Sequence, residues 1–220
     1  MSNLVIYGLG AFAKMMRYYF TEDSPHKVVA FCADSSFVKE ATFDGLPVIA
    51  FEEIQKICSS DDHSMFVAVG YSNMRSRKRM FEKAKTKNYR FVNYISSCAK
   101  VDKSVEVGVN NIILQGTQIE PFCKLENNNI IWSSVNVSHD SLIHNHCFIA
   151  SQSLVGGFSI IEDGCFLGFN CTILQNVHLF QETLVGAKSL VLKSTEPYSK
   201  NIGNPTKLKG YHVLDGILIK

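Results

Sequence analysis

No stretch of this 220-residue chain approaches the roughly 20 consecutive apolar residues that a membrane-spanning helix requires, so no membrane insertion is expected. Neither sign of charge dominates. With 22 Lys and Arg against 20 Asp and Glu the net charge is +2, which argues against nucleic-acid binding and against strong attraction to a membrane surface. Seven cysteines are present without a single Cys-x-x-Cys pair, so the cysteines announce no metal or redox site. The N-terminal run MSNLVIYGLGAFAK lacks a basic region ahead of its apolar residues and reads as a first folded strand, not an export signal. Reduced thiols in a cytoplasmic protein are the expectation.

What the sequence does contain is a repeat. From Ile95 to Val191 every sixth residue is aliphatic, with no insertion or deletion. The residue four places after each of these is usually small or thin, as at Val105, Thr117, Cys123, Val135, Ser141, Cys147, Ser153, Ser159, Cys165, Cys171, Thr183 and Ser189. Two such columns define a hexapeptide β-helix: one short strand and one turn per repeat, three repeats per eighteen-residue coil. The aliphatic column fills the interior and the small column sits at the corners, so Cys123, Cys147, Cys165 and Cys171 read as corner packing residues, not nucleophiles. At ~4.8 Å per coil the prism over residues 95–196 is roughly 27 Å tall. Large apolar residues directly precede many aliphatic positions, among them Ile130, Leu142, Phe148, Leu154, Ile160, Phe166 and Leu190. Alternation turns these outward, and an apolar outer face predicts an interface with other subunits.

Residues 1–94 read differently. Strands are expected at Leu4–Tyr7, Lys27–Cys32, Met65–Val69 and Arg90–Tyr94, with helices from the Gly8-Leu9-Gly10-Ala11 turn through Phe20 and over Met74–Lys87. This alternation implies a small parallel α/β sheet. Gly8 and Gly10 at a strand-to-helix turn let backbone N–H groups approach a phosphate, and Asp34 stands where an acidic residue would meet a ribose. Three readings of the turn are open: a nucleotide-sugar cradle, a nicotinamide site, or a tight turn without ligand. The run Arg75, Arg77, Lys78, Arg79 reads as a solvated helix face in preference to a phosphate clamp.

Three histidines crowd into Ser138-His139-Asp140-Ser141-Leu142-Ile143-His144-Asn145-His146. His139 lies two places past Val137 and therefore in a turn, where an imidazole can act as a base near neutral pH. Asp140 could orient it, given a backbone bend that lets adjacent side chains meet. His144 and His146 read as polar structural residues. A zinc reading competes, because the His139-x4-His144 spacing matches paired ligands in prism-fold carbonic anhydrases. However, no histidine precedes His139 in the prism to supply a third ligand, so no metal is expected.

Ser138-His139-Asp140, Gly156-Gly157, Leu184-Val185-Gly186-Ala187-Lys188-Ser189-Leu190-Val191 and Gly203-Asn204-Pro205-Thr206-Lys207 together resemble the sugar-nucleotide N-acetyltransferases of bacterial surface-polysaccharide pathways. The resemblance implies a Rossmann-like nucleotide-sugar domain over residues 1–94, a left-handed parallel β-helix over 95–196 and a C-terminal tail over 197–220. It implies a homotrimer that uses acetyl-CoA as co-substrate and a nucleotide-linked amino sugar as acceptor. His139 matches the family's general base and Asp140 the acid that orients it. Gly157 matches a glycine whose backbone contacts the cofactor or the thioester carbonyl; Ala187, Lys193, Asn204 and Pro205 fall where the CoA groove is lined. Gly8, Gly10 and Asp34 match the residues that hold the nucleotide-sugar. Some members of the family carry a second histidine nine residues after the base; Phe148 stands at that position here. O-acetylation of a sugar or sialic-acid-like acceptor is the alternative within the class, and a non-catalytic nucleotide-sugar-binding protein the alternative outside it.

Overall fold

The computed structural model of the chain describes residues 2–219 and divides into two compact units. One holds the residues up to Gly70 together with Arg79–Tyr94; the other holds Tyr71–Lys78 together with everything from Ile95 onward.

The first unit is a mainly parallel sheet. β1 (Asn3–Tyr7) pairs in parallel with β2 (Lys27–Ala33) on one side and β5 (His63–Val67) on the other; β6 (Arg90–Phe91) continues beyond β5. Leu4, Val5, Ile6 and Tyr7 are all fully buried, as a central strand covered on both faces requires. The stretch between β2 and β5, to which no sequence pattern assigned an element, adds β3 (Thr42–Phe43), β4 (Leu46–Ala50) and the short helix α2 (Ile54–Ile57). β3 and β4 form a hairpin across Asp44-Gly45, both with positive φ, the Asp-Gly signature of a tight primed turn. The sheet order β3-β4-β2-β1-β5-β6 puts β1 at the point where successive crossovers reverse direction, the place where open α/β sheets bind ligands. α1 (Ala11–Glu22) begins directly after Gly8-Leu9-Gly10. α3 (Met74–Lys85) completes the helices of appreciable length, its first residues grouping with the second unit.

The second unit is built on the hexapeptide period. Two-residue strands recur every six residues from Lys100–Val101 to Leu190–Val191, and the ladders among them pair a residue with the one eighteen further on: Ile113 with Ile131, Val137 with Val155, Ile143 with Ile161. The aliphatic column from Ile113 to Val191 is buried to within 2% exposure, whereas Ile95, at its N-terminal end, remains 39% exposed. The small column does more than save space. Its hydroxyls and thiols donate to the carbonyl fifteen residues later: Ser141 Oγ to Gly156 O (3.1 Å), Ser153 Oγ to Gly168 O (3.0 Å), Cys123 Sγ to Ser138 O (3.1 Å), Cys147 Sγ to Glu162 O (3.1 Å). A third column was not anticipated. From Asn110 to Lys188 every sixth residue has a left-handed backbone, φ between 50° and 73°, because a six-residue repeat must turn sharply once per strand. Asn, Asp, His or Gly, the residues that tolerate this region, hold Asn110, Gly116, Asn128, Asp140, His146, Gly164, Asn170 and Asn176.

Two expectations are corrected. The outward residues Ile130, Phe148 and Phe166 do not form an open face: they are buried within the unit. Tyr71 packs on Phe148 (ring centroids 4.2 Å apart), and Phe148 stacks on Phe166 (4.9 Å). The segment around Tyr71–Lys78 is itself held by the C-terminal residues, with Met74 N donating to Ile217 O and Ile219 N to Ser72 O. Nor is Arg77 solvated. It is 2% exposed and donates to the backbone carbonyl and side-chain oxygen of Asn128. Among the described residues no helix is long and apolar enough to cross a membrane.

Burial pushes the Cys165 thiol well up and Cys171 up to about 11, so these prism thiols stay protonated and unreactive at neutral pH. Iodoacetamide on the folded protein at pH 7.5 is expected to label the exposed Cys98 and to spare Cys123, Cys147, Cys165 and Cys171 until the chain is unfolded. Peptide mass spectra showing early modification of those four would contradict the assignment.

Candidate active site

The left-handed column places the chemistry. Val137 fixes the strand in the interior, Ser138 leaves it, His139 projects at the corner and Asp140 takes φ 57°. That turn supplies the bend adjacent residues need in order to meet: His139 Nδ1 lies 3.0 Å from Asp140 Oδ2. A carboxylate only accepts, so Nδ1 carries a proton, and in the neutral ring the lone pair is then on Nε2. The imidazole is 51% exposed. The backbone is pinned as well, His139 N donating to Glu120 Oε2 at 2.8 Å and Phe158 N to His139 O at 3.1 Å.

One rung further on, Gly157 packs beneath the ring. A Cβ there would stand 3.0 Å from His139 Cε1 and 3.1 Å from Nε2, so any side chain at 157 would crowd the edge carrying the lone pair. The site thus holds an imidazole whose Nε2 edge is left clear by glycine and whose other nitrogen is held by a carboxylate. It can accept a proton from a nucleophile brought to that edge.

Of the other residues singled out in the prism, Lys193 shares the corner of His139 and Gly157, three rungs along. Ala187 belongs to a different corner. The Gly203 N–H donates to Ser189 Oγ and the Gly203 carbonyl accepts from Leu190 N, both at 3.0 Å, so Asn204 and Pro205 follow directly beyond the turn of Ala187. Lys193, Ala187, Asn204 and Pro205 are all exposed. His144 and His146 lie on a third corner. His144 Nδ1 meets Glu126 Oε2 at 3.1 Å, and His146 Nδ1 accepts from Asn128 Nδ2 at 2.9 Å. Glu126, His144 and Asp163 bring one ligand-type atom each within 4.8 Å of one another. Asn145 already donates to both carboxylates, and His139 has no part in the group.

In the first unit, Gly8 and Gly10 differ. Gly8 has φ 144°, and a Cβ there would stand 2.6 Å from Ala68 O, so the fold alone demands glycine. A Cβ at Gly10 would meet nothing within 4 Å, and Gly10, the N-cap, offers no side-chain hydrogen bond to the helix that starts there. Asp34 accepts from the Tyr7 hydroxyl and from Lys83 Nζ at 2.8 Å. Partial burial works to raise its pKa, but those two contacts outweigh it and hold the carboxyl below the usual carboxylate range. Glu120, Phe158, Tyr7 and Lys83 are the site residues that the sequence did not reveal. Coil arithmetic carries a signal for the first two: Phe158 lies eighteen residues from Asp140, and Glu120 eighteen from Ser138.

Comparison with known proteins follows the same division. The GMPPB C-terminal domain family matches residues 91–214 and the PglD N-terminal domain family residues 3–84. No curated protein matches the sequence significantly. Among solved structures, PerB from Caulobacter crescentus, in complex with CoA and GDP-perosamine, superposes with a TM-score of 0.84 at 25% identity over 96% of this chain and 98% of that one. The acetyltransferase domain of PglB from Neisseria gonorrhoeae gives 0.83 at 20% identity over 94% and 100%. WeeI from Acinetobacter baumannii gives 0.66 at 18% over 94% and 100%. The fold is therefore a Rossmann-like domain followed by a left-handed parallel β-helix.

The proton assignment at His139 is testable without any substrate. ¹⁵N NMR of the neutral imidazole is expected to show the Nδ1–H tautomer, with the Nε2–H form appearing in Asp140→Ala. A wild-type ring already in the Nε2–H form would remove the basis for a free Nε2.

Proposed function

The chain belongs to the family of the GMPPB C-terminal domain and to the sugar-nucleotide N-acetyltransferases, and from that premise we propose that it transfers acetyl from acetyl-CoA directly to the amine of a nucleotide-linked deoxyamino sugar, with His139 as general base. One observation carries the reading: an imidazole whose Nδ1 is engaged by Asp140 and whose Nε2 edge is left open by Gly157.

The acceptor nitrogen presents its proton to Nε2, and Asp140 stabilises the imidazolium that forms. Bound acetyl-CoA supplies an acyl group already activated as a thioester, so no covalent enzyme intermediate is required. Gly157 fits the co-substrate in two ways. It adds no side chain beside the ring, and its N–H has no hydrogen-bond partner among the described residues, leaving a donor for the oxyanion that develops on the thioester carbonyl. Lys193, Ala187, Asn204 and Pro205 are the residues that would line the CoA groove. Gly10, with open space before α1, and Asp34, beyond β2, would hold the nucleotide, its phosphates favoured by the helix N-terminus.

The edge that carries His139 is also where the exposed large apolar residues Leu154, Leu174 and Leu192 lie. Apolar exposure of this extent beside a half-open site supports a trimer in which neighbouring copies complete each site. Light scattering is expected to report three times 24.6 kDa; a stable, fully active monomer would be incompatible with shared sites.

His139→Ala removes the proton acceptor and leaves the aliphatic column untouched. Turnover at pH 7 is expected to fall by about two to four orders of magnitude, while thermal stabilisation by CoA persists. The deficit shrinks as pH rises, because more of the acceptor amine is then already deprotonated. Near-wild-type turnover in His139→Ala, with His144→Ala inactive in its place, would overturn the assignment.

A further inference from the structure

Phe122 and Phe158 are bulky residues in the left-handed column, with φ 64° and 58°, where a large side chain is an outlier. Within its own chain neither is repaid by burial: Phe122 is 69% and Phe158 55% exposed. Both fall on the corner that carries Asp140, one rung to either side of it, and the same column at the other corners holds Asn, Gly, His, Ser, Gln, Glu or Lys. A strained aromatic that packing within its own chain does not bury points to function. For Phe158 the contact is explicit. Its ring meets the His139 imidazole edge to face, centroids 5.1 Å apart and planes at 87°, the geometry that aromatic pairs prefer.

We propose that Phe158 is a positioning residue for the base: its ring fixes the plane of the His139 imidazole, so that Nε2 stays over the opening at Gly157 while Asp140 holds Nδ1. Asp140 alone anchors one nitrogen and leaves the ring free to swing about that hydrogen bond. A second contact, perpendicular to the ring plane, removes that freedom. Gly157 supplies clearance on one edge, but clearance does not orient. Holding a reacting group in line is a large share of what such a site contributes. The inference rests on His139 acting as the base.

The test is a pair of substitutions, Phe158→Asn and Phe158→Tyr, assayed for thiol release from acetyl-CoA with an amino-sugar nucleotide. Asn suits the left-handed backbone better than Phe, so Phe158→Asn is expected to melt at the wild-type temperature or above it with its assembly unchanged. It nevertheless loses about tenfold in kcat, while KM for both substrates moves less than about twofold. Phe158→Tyr keeps the aromatic edge and is expected to retain kcat within about twofold. Three results would overturn the proposal. A lower melting temperature or a broken assembly in Phe158→Asn would mark the ring as structural. A rise confined to the acceptor KM would make it a substrate contact, and a wild-type kcat in Phe158→Asn would leave it no role. His139→Ala, run alongside, separates the two levels: if it keeps its turnover the base assignment itself fails, whereas a dead His139→Ala beside a fully active Phe158→Asn sinks only the role given to Phe158.

Discussion

An aliphatic side chain buried every sixth residue, and the sharp backbone turn which that spacing forces, set the position of everything else in the second unit. Each buried aliphatic residue contributes roughly 1.5–3 kcal/mol by leaving water, and the column from Ile113 to Val191 is almost wholly buried. From Asn110 to Lys188 each repeat also carries one left-handed residue, at about 1–2 kcal/mol for most side chains. The first term exceeds the second, so the turn position tolerates residues that local preference alone would reject. That tolerance is what makes the corner available to chemistry.

The chemistry then follows from two distances along the chain. A step of one residue, bent by the left-handed Asp140, brings a carboxylate onto His139 Nδ1. A step of eighteen brings Gly157 under the same ring. The tautomer, the open lone pair and the space beside it are consequences of where the aliphatic residues fall, since shifting the repeat by two residues would turn His139 inward. In the first unit the corresponding constraint is the end of β1. There Gly8 is required by the close approach of Ala68, and a side chain at Gly10 would meet nothing.

The prism was legible because its signal is additive: each hexapeptide repeats the last, and His139, two residues past an interior position, had to lie in a turn. The left-handed column was equally periodic but was hidden, because Phe122, Gln152, Phe158 and Lys188 interrupt its Asn, Asp and Gly. The burial of Ile130, Phe148 and Phe166 could not be read from the sequence, since the segment that covers Phe148 comes from around Tyr71, far away in sequence. For the same reason Arg77 was taken as solvated: nothing local reveals Asn128 as its partner. The β3–β4 hairpin did have a local signal in Asp44-Gly45, but its strands are too short to show a period.

The central claim, acetyl transfer to a sugar nitrogen with His139 taking the proton, is tested most directly by thiol release from acetyl-CoA across a panel of nucleotide-linked sugars. Each amino sugar would be matched with the analogue bearing a hydroxyl at the same carbon. The account predicts stoichiometric CoA release and an N-acetylated product with at least one amino sugar, and no more than background release with its hydroxyl analogue. Equal release from the hydroxyl analogues, or release from none of the amino sugars, would contradict it.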